Sequence, residues 1–476
     1  MNTPTLFWFR RDLRLSDHPG LTAALAQGAP VIPLFILDPE TEAMGAAPRW
    51  RLGESLRSLD AALRAKGSRL ILRRGDALEQ LTALIAETGA DAVHWTRAYD
   101  PDAIKRDTHV KKALKDQGFG AESHPGHILF EPWTVETGQG GFYKVYTPFW
   151  KAVRDRGQSD ALPPPTDLAP PADWPASDAL DNWAMGADMV RGAGIVAKYA
   201  RVGEAAAFER LDAFIDGPIA SYADDRDRLD LNGTSGLSEN LTYGEISARS
   251  CWHAAQRAMR DGATGAETFL KELVWRDFAY HLIYHTPHIA ARSWREEWVG
   301  FPWRNDNADA EAWKRGRTGE PVIDAAMRQL YVTGTMHNRA RMLVASYLTK
   351  HLMTHWRVGQ RWFEECLIDW DPASNAMGWQ WAAGSGPDAA PYFRVFNPAT
   401  QAEKFDPKAA YRKAWVAELS DGDAPATATD FFAAIPRSWD LAPTDSYPEP
   451  RVDLKAGREA ALAAYSNHKN KKGEAA

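Results

Sequence analysis

Cysteine is almost missing from this chain. Only Cys251 and Cys366 occur in 476 residues, far apart and in no paired spacing. This excludes a disulfide framework and a cysteine-based zinc or redox motif, and it makes a reducing cytoplasm the expected compartment. No apolar run approaches membrane-spanning length, and the amino terminus lacks the basic-then-apolar pattern of a secretory signal, so no membrane partner is expected. Positive charge is not in excess either. At a net charge of -7, nucleic acid would have to be held by a local basic surface, because the field of the whole chain opposes it. No phosphate-loop motif occurs. Dinucleotide-type glycine spacing occurs in Gly192-Ala-Gly194-Ile-Val-Ala197, but no strand pattern precedes it, which speaks against a nicotinamide oxidoreductase. Internal repeats are also lacking.

What the chain has in quantity is tryptophan, 20 residues of it, and so much indole invites a π-system as ligand as well as core packing. Three tryptophans fall within Asp369-Trp-Asp-Pro-Ala-Ser-Asn-Ala-Met-Gly-Trp-Gln-Trp381. Asp369 and Asp371 accept hydrogen bonds and Asn375 both donates and accepts, a set that suits the edges of a polar ring system. Trp379 and Trp381, two residues apart, would point about 200° apart on a helix, toward different neighbours. A tryptophan-rich core beside an acidic loop would carry the same letters.

Short apolar runs and amphipathic stretches alternate through the first third. Thr5–Phe9, Val31–Leu37, Arg69–Arg73 and Asp91–Trp95 predict buried strands, separated by helices over Leu21–Gln27, Trp50–Lys66, Ala77–Thr88 and Ala103–Gln117. That alternation predicts an α/β domain with a doubly wound, Rossmann-like parallel sheet over residues 1–130. Residues 131–203 read as an interdomain linker, with Pro163, Pro164, Pro165, Pro170, Pro171 and Pro175 close together, wrapping over a surface. From 204 to 440 helical periodicity dominates and predicts an all-α domain. Within it Pro321 opens and Gly334 closes one helix, Val322–Tyr331, and Asn338–Trp356 forms another. Residues 441–476 read as a C-terminal tail, polar at its end and expected to fray.

Several constellations carry possible chemistry. Leu231-Asn-Gly-Thr-Ser-Gly-Leu-Ser238 offers hydroxyls and free backbone N–H groups ahead of a helix, which suits a pyrophosphate and equally suits a helix cap. Glu272, Trp275 and Arg276 share one helix face by their i, i+3, i+4 spacing, and Asn338, Arg341 and Met342 repeat it on a second helix. Two such faces would line a cavity. Arg339, Arg341, Lys350, Arg357 and Arg361 lie in a stretch without carboxylates, and Arg394 is accompanied by Tyr392, Phe393 and Phe396. Basic residues interleaved with rings suit phosphates and bases. His281, His285 and His288, and His351 with His355, have spacings that can bind a metal, but they lack the glutamate of a zinc-protease motif, so no metal is expected.

Five stretches in order, Phe9-Arg-Arg-Asp-Leu-Arg-Leu15, Gly233-Thr-Ser-Gly-Leu-Ser238, Glu272-Leu-Val-Trp-Arg276, Met336-His-Asn-Arg-Ala-Arg-Met342 and Asp369–Trp381, resemble the motifs of photolyases and cryptochromes. The resemblance covers nearly the whole chain and is greatest to class I DNA photolyases, which split cyclobutane pyrimidine dimers with blue light. It implies an α/β antenna domain followed by a helical domain that binds FAD and damaged DNA, acting as a monomer.

By motif position, the resemblance gives the FAD phosphates and ribose to Tyr222, Thr234, Ser235, Leu237 and Ser238. Arg276, Asn338, Arg341, Asp369, Asp371 and Asn375 would surround the flavin ring. Glu272, Trp275, Asn338, Met342 and Trp381 would contact a lesion flipped out of the duplex, while Arg226, Arg339 and Arg394 would hold the DNA phosphates. Trp379, Trp356 and Trp303 match the tryptophan chain that reduces an oxidised flavin in light. The implied reaction is electron donation from photoexcited reduced flavin to the dimer, ring splitting and return of the electron.

Departures are informative. Phe269 stands where some relatives place tryptophan near the adenine, and Trp370 replaces a small residue; nothing in the sequence explains Trp370. Met44 and Ala103 occupy positions where folate-binding relatives present polar groups, which counts against methenyltetrahydrofolate as the antenna chromophore and leaves a deazaflavin, another flavin or an empty pocket. The alternatives within the family are a cryptochrome-type blue-light receptor and a photolyase for six-four photoproducts. The amide and thioether at Asn338 and Met342 count against the latter, which would place histidine there.

Overall fold

Strands β1 (Thr5–Phe9) and β2 (Val31–Leu37) are buried from end to end, as near-continuous apolar runs must be when both faces of a parallel sheet are covered. With β3 (Ile71–Arg74), β4 (Ala92–Thr96) and β5 (Gly120–His124) they form a parallel sheet in the order β3-β2-β1-β4-β5. Leu6, Trp8, Ile32, Leu34, Ile71, Val93 and Trp95 lie in one buried cluster within it. The doubly wound topology follows from the crossover at β1, where the chain leaves β2 and β3 on one side and resumes with β4 on the other.

The computed structural model describes residues 3–420 and 422–473, and the chain divides into two units. The first comprises Met1–Asp188, Arg201–Ala223 and Thr234–Pro287, the second Met189–Ala200, Asp224–Gly233 and His288–Ala476. In the first, β1 and β2 fall where the apolar runs predict them. Helix α1 (Pro19–Leu25) starts two residues early because His18 caps it and proline occupies its first turn. Next come α2 (Ala46–Arg64), α3 (Ala77–Thr88) and α4 (Pro101–Asp116). Strand β5 has no counterpart among the expected elements. Its sequence, Gly-Ala-Glu-Ser-His, buries Ala121 alone, and Gly120 is required because a Cβ there would come within 2.8 Å of Ala92.

The proline-rich segment is bonded along this unit. Leu162 O accepts from Asp17 N, Leu168 N donates to Lys66 O, and Asp178 N donates to Leu72 O. The unit is completed by α5 (Tyr146–Val153), α6 (Glu204–Ile215), α7 (Ala248–Arg260) and α8 (Ala266–His285).

The second unit is helical, with no strand element among its described residues. Helix α9 (Pro321–Thr333) opens on Pro321 and closes on Gly334, in the left-handed region at φ 66°. The expected continuous helix Asn338–Trp356 is broken. Helix α10 (Asn338–Ser346) runs into a widened turn at Tyr347–His351, and α11 (Trp356–Cys366) starts anew. The break has a cause: Arg304 pairs in parallel with Thr354, donating to Met353 O and accepting from His355 N, and His355 then caps α11. Helix α12 (Pro372–Ala383) carries the tryptophan-rich stretch. The expected fraying tail is instead helix α13 (Leu454–Gly473), whose buried Ala461 joins Trp298, Phe301 and Tyr392 in a small core and whose Tyr465 stacks on Trp298.

Candidate functional site

Each unit carries part of the expected constellation. In the first, the turn from Thr234 leads into the short helix Ser238–Thr242, with Leu237 buried, Thr234 and Ser235 half-buried and Ser238 exposed. An ionic cluster fixes its base. Arg210 donates to Gly236 O at 2.8 Å and to Glu239 Oε1 at 2.5 Å, and Arg51 bonds Glu245 twice, at 2.9 and 2.7 Å. Small hydroxyl residues on so rigid a base suit a phosphate group. Tyr222 is buried edge-on against Phe214 and Phe269, so Phe269 completes an aromatic cluster in place of the tryptophan of some relatives.

Helix α8 buries Leu273, Val274, Asp277 and Phe278, while Glu272, Trp275 and Arg276 form a half-buried stripe, as their spacing predicts. Arg276 Nη1 donates to His127 O at 2.7 Å, and Nη2 lies 3.0 Å from His127 Nε2. Burial, reinforced by the neighbouring Arg276, drives the His127 imidazole well below its ordinary pKa, so the guanidinium meets a neutral ring. Asp277 accepts from Leu129 N and Phe130 N, both at 2.8 Å, and burial raises its carboxyl to about 7.

In the second unit, Arg341 Nη2 donates to Asp369 Oδ2 at 2.7 Å and Arg341 Nε to Met336 O at 2.8 Å. Asp371 caps α12, accepting from Ser374 N at 2.7 Å. One turn on, Asn375 Nδ2 donates to Gln360 O at 3.0 Å, while its buried Oδ1 has no hydrogen-bond partner among the described residues. An orphaned buried acceptor calls for a donor. On α10, Asn338 is exposed and Met342 half-buried. Trp379 is buried and Trp381 half-buried, the two environments expected of indoles pointing to different sides of a helix.

The arginines expected to hold DNA phosphates differ in state. Arg394 is exposed beside exposed Phe393, and Arg226 is half-buried. Arg339 pairs with Asp227 and lies 4.6 Å over the Phe405 ring. Trp356 is buried and packs against His355 at 5.5 Å, and His355 packs against Trp303 at 5.2 Å. Trp379 stands 5.0 Å from Phe363.

The histidines with metal spacing lie in aromatic packing: His285 stacks on Phe142 and His351 on Tyr347. Among the described residues the ligand-spaced group is His94, Glu122 and His124, whose imidazoles already hydrogen-bond each other at 2.9 Å. Sequence reasoning also missed His127 beneath Arg276, Gln360 behind Asn375 and Tyr146 against Trp275. Each meets its partner only through the fold, and no local pattern signals them.

Residues 5–170 match the family model described as DNA photolyase, and residues 269–467 match the FAD binding domain of DNA photolyase. A deoxyribodipyrimidine photo-lyase of Agrobacterium fabrum is 44% identical, over 97% of this chain and 98% of its own length. A class III photolyase structure from Agrobacterium tumefaciens superposes with a TM-score of 0.90 at 42% identity, covering 99% of this chain and 98% of that one. An archaeal photolyase from Sulfolobus tokodaii, solved with two FAD molecules, gives 0.80 at 31% identity, covering 98% and 100%. The chain belongs to the photolyase and cryptochrome family. Within that family it is a DNA photolyase, a DNA-repair enzyme with an FAD-binding domain.

Proposed function

We propose that this enzyme splits cyclobutane pyrimidine dimers in UV-damaged DNA. The observation that carries the flavin assignment is Asn375: a buried amide oxygen with no hydrogen-bond partner among the described residues, in the same unit as the Arg341–Asp369 pair, suits the hydrogen-bonding edge of a flavin. By motif position the family resemblance adds Asp371, Arg276 and Asn338 to the residues that would hold the ring, and would give the phosphates and ribose to Tyr222, Thr234, Ser235, Leu237 and Ser238. FAD supplies the light-driven electron donor when bound. The protein's part is positional. By the same resemblance Glu272 and Asn338 would hydrogen-bond the edges of the extruded bases, Trp275 and Trp381 would stack on them, and Met342 would contact them. Arg226, Arg339 and Arg394 hold the backbone phosphates. Trp379, Trp356 and Trp303 would form the path by which electrons reach FAD when it is bound oxidised.

The motif resemblance points to class I. Similarity to a class III photolyase structure along almost the whole chain favours class III, and we adopt it. Extraction and an absorption spectrum of the purified protein decide whether the α/β unit carries a second chromophore and distinguish a deazaflavin, a second flavin and methenyltetrahydrofolate. The functional reading is tested by gel retardation of a dimer-containing oligonucleotide. Retention in the dark and release after blue light support it, and equal retention of undamaged DNA contradicts it.

A further inference from the structure

Tyr146 lies flat on Trp275. The ring centroids are 3.7 Å apart and the planes 8° from parallel, which is van der Waals contact across the whole overlap. Tyr146 opens α5 and is 8% exposed. Its hydroxyl donates to Lys271 O at 2.7 Å, one turn before Trp275 on α8 and the carbonyl that in a helix receives the N–H of residue 275. Phe278, fully buried, meets both rings edge-on, at 5.9 Å from Tyr146 and 5.8 Å from Trp275. The indole is thus fixed on one face by a stack, at its side by an edge contact, and the stacking ring is itself anchored to the same helix.

We propose that Tyr146 is the positioning residue for Trp275: it occupies one indole face and holds the other in the plane that receives an extruded pyrimidine. This rests on the assignment of Trp275 to the lesion pocket. An indole on a half-buried stripe of a helix has several rotamers when nothing packs on it, and ordering it on binding would weaken the complex. Tyr146 removes that cost beforehand. A base cannot enter between rings 3.7 Å apart, so only one face of Trp275 is left to take it.

The test is the dark affinity of FAD-loaded protein for a dimer-containing oligonucleotide and for the same sequence undamaged. It is measured for wild type, Tyr146→Phe, Tyr146→Leu, Trp275→Ala and the double variant Tyr146→Leu/Trp275→Ala. Tyr146→Leu is expected to reduce the preference for damaged DNA about tenfold, near the low end of one base–aromatic stack. Tyr146→Phe, which keeps the ring, is expected to retain most of it, and the double variant to match Trp275→Ala. Wild-type preference in Tyr146→Leu beside a loss in Trp275→Ala overturns the role of Tyr146. Equal losses in Tyr146→Phe and Tyr146→Leu overturn the stack as its cause, and an added loss in the double variant overturns action through Trp275. Wild-type preference in Trp275→Ala overturns the lesion pocket itself.

Discussion

Arg341 and Asp369 form an ion pair at 2.7 Å in which the carboxylate side chain is 1% exposed and the guanidinium 27%. Removing the arginine takes the ion-pair partner from a buried carboxylate, a loss that in buried pairs costs roughly 3–5 kcal/mol. The partial exposure of Arg341 sets the expectation at the low end. Arg341→Ala is therefore expected to lower unfolding free energy by about 3 kcal/mol and to be purified with less flavin per protein. Denaturant melts and the ratio of flavin to protein absorbance check both; full flavin occupancy would remove the pair from the cofactor site.

Gly359 lies under the Trp379 indole, and a Cβ there would collide with the ring. Gly359→Ala forces either α11 or Trp379 to shift, an overpacking cost of about 1–3 kcal/mol. Displacing Trp379 is also expected to slow photoreduction of the oxidised flavin. Wild-type photoreduction in a destabilised Gly359→Ala protein would show that the position of Trp379 does not limit electron entry.

Trp356→Phe separates the two uses of light. Repair by protein reduced in advance is expected to continue at the wild-type rate, while photoreduction of oxidised protein slows. Unchanged photoreduction would place the electron path elsewhere.

The pH dependence of stability carries a signature of Asp277. Its carboxyl titrates near 7 in the folded chain, raised by burial, against about 3.9 when unfolded. Between those values the native state holds the extra proton, so this group's contribution is fully present below the unfolded value and is lost as pH rises through 7. Buried His127, depressed by burial, acts in the opposite sense: its contribution is present above the unfolded histidine value and fades as pH falls below it. Asp277→Asn keeps an acceptor for Leu129 N and Phe130 N but does not titrate. Denaturant melts across pH 4–7 should show the wild type losing stability relative to Asp277→Asn as pH rises; parallel curves would contradict a protonated Asp277.

Much of this was legible because the local chemistry is one-sided. β1 and β2 are apolar throughout, Gly334 ends α9 with a conformation glycine adopts readily, and Glu272, Trp275 and Arg276 share a stripe because helical spacing leaves little choice. The rest depended on distant partners. β5 is an edge strand that buries one alanine, so it shows no apolar run. The break before α11 is imposed by Arg304, some fifty residues upstream, against good helical periodicity. α13 hides its core contacts in Ala461 and Tyr465 among polar neighbours, which reads as a solvated tail. Tyr146 reaches Trp275 only after α5 and α8 have packed, and neither residue's surroundings in sequence announce the other.

Light-driven dimer splitting is measured most directly as the return of base absorbance in a dimer-containing thymine oligonucleotide incubated with purified, pre-reduced protein. Recovery is expected under blue light and none in darkness. Absence of recovery in light, from protein with FAD bound and photoreducible, would contradict it and favour a blue-light receptor built on the same fold.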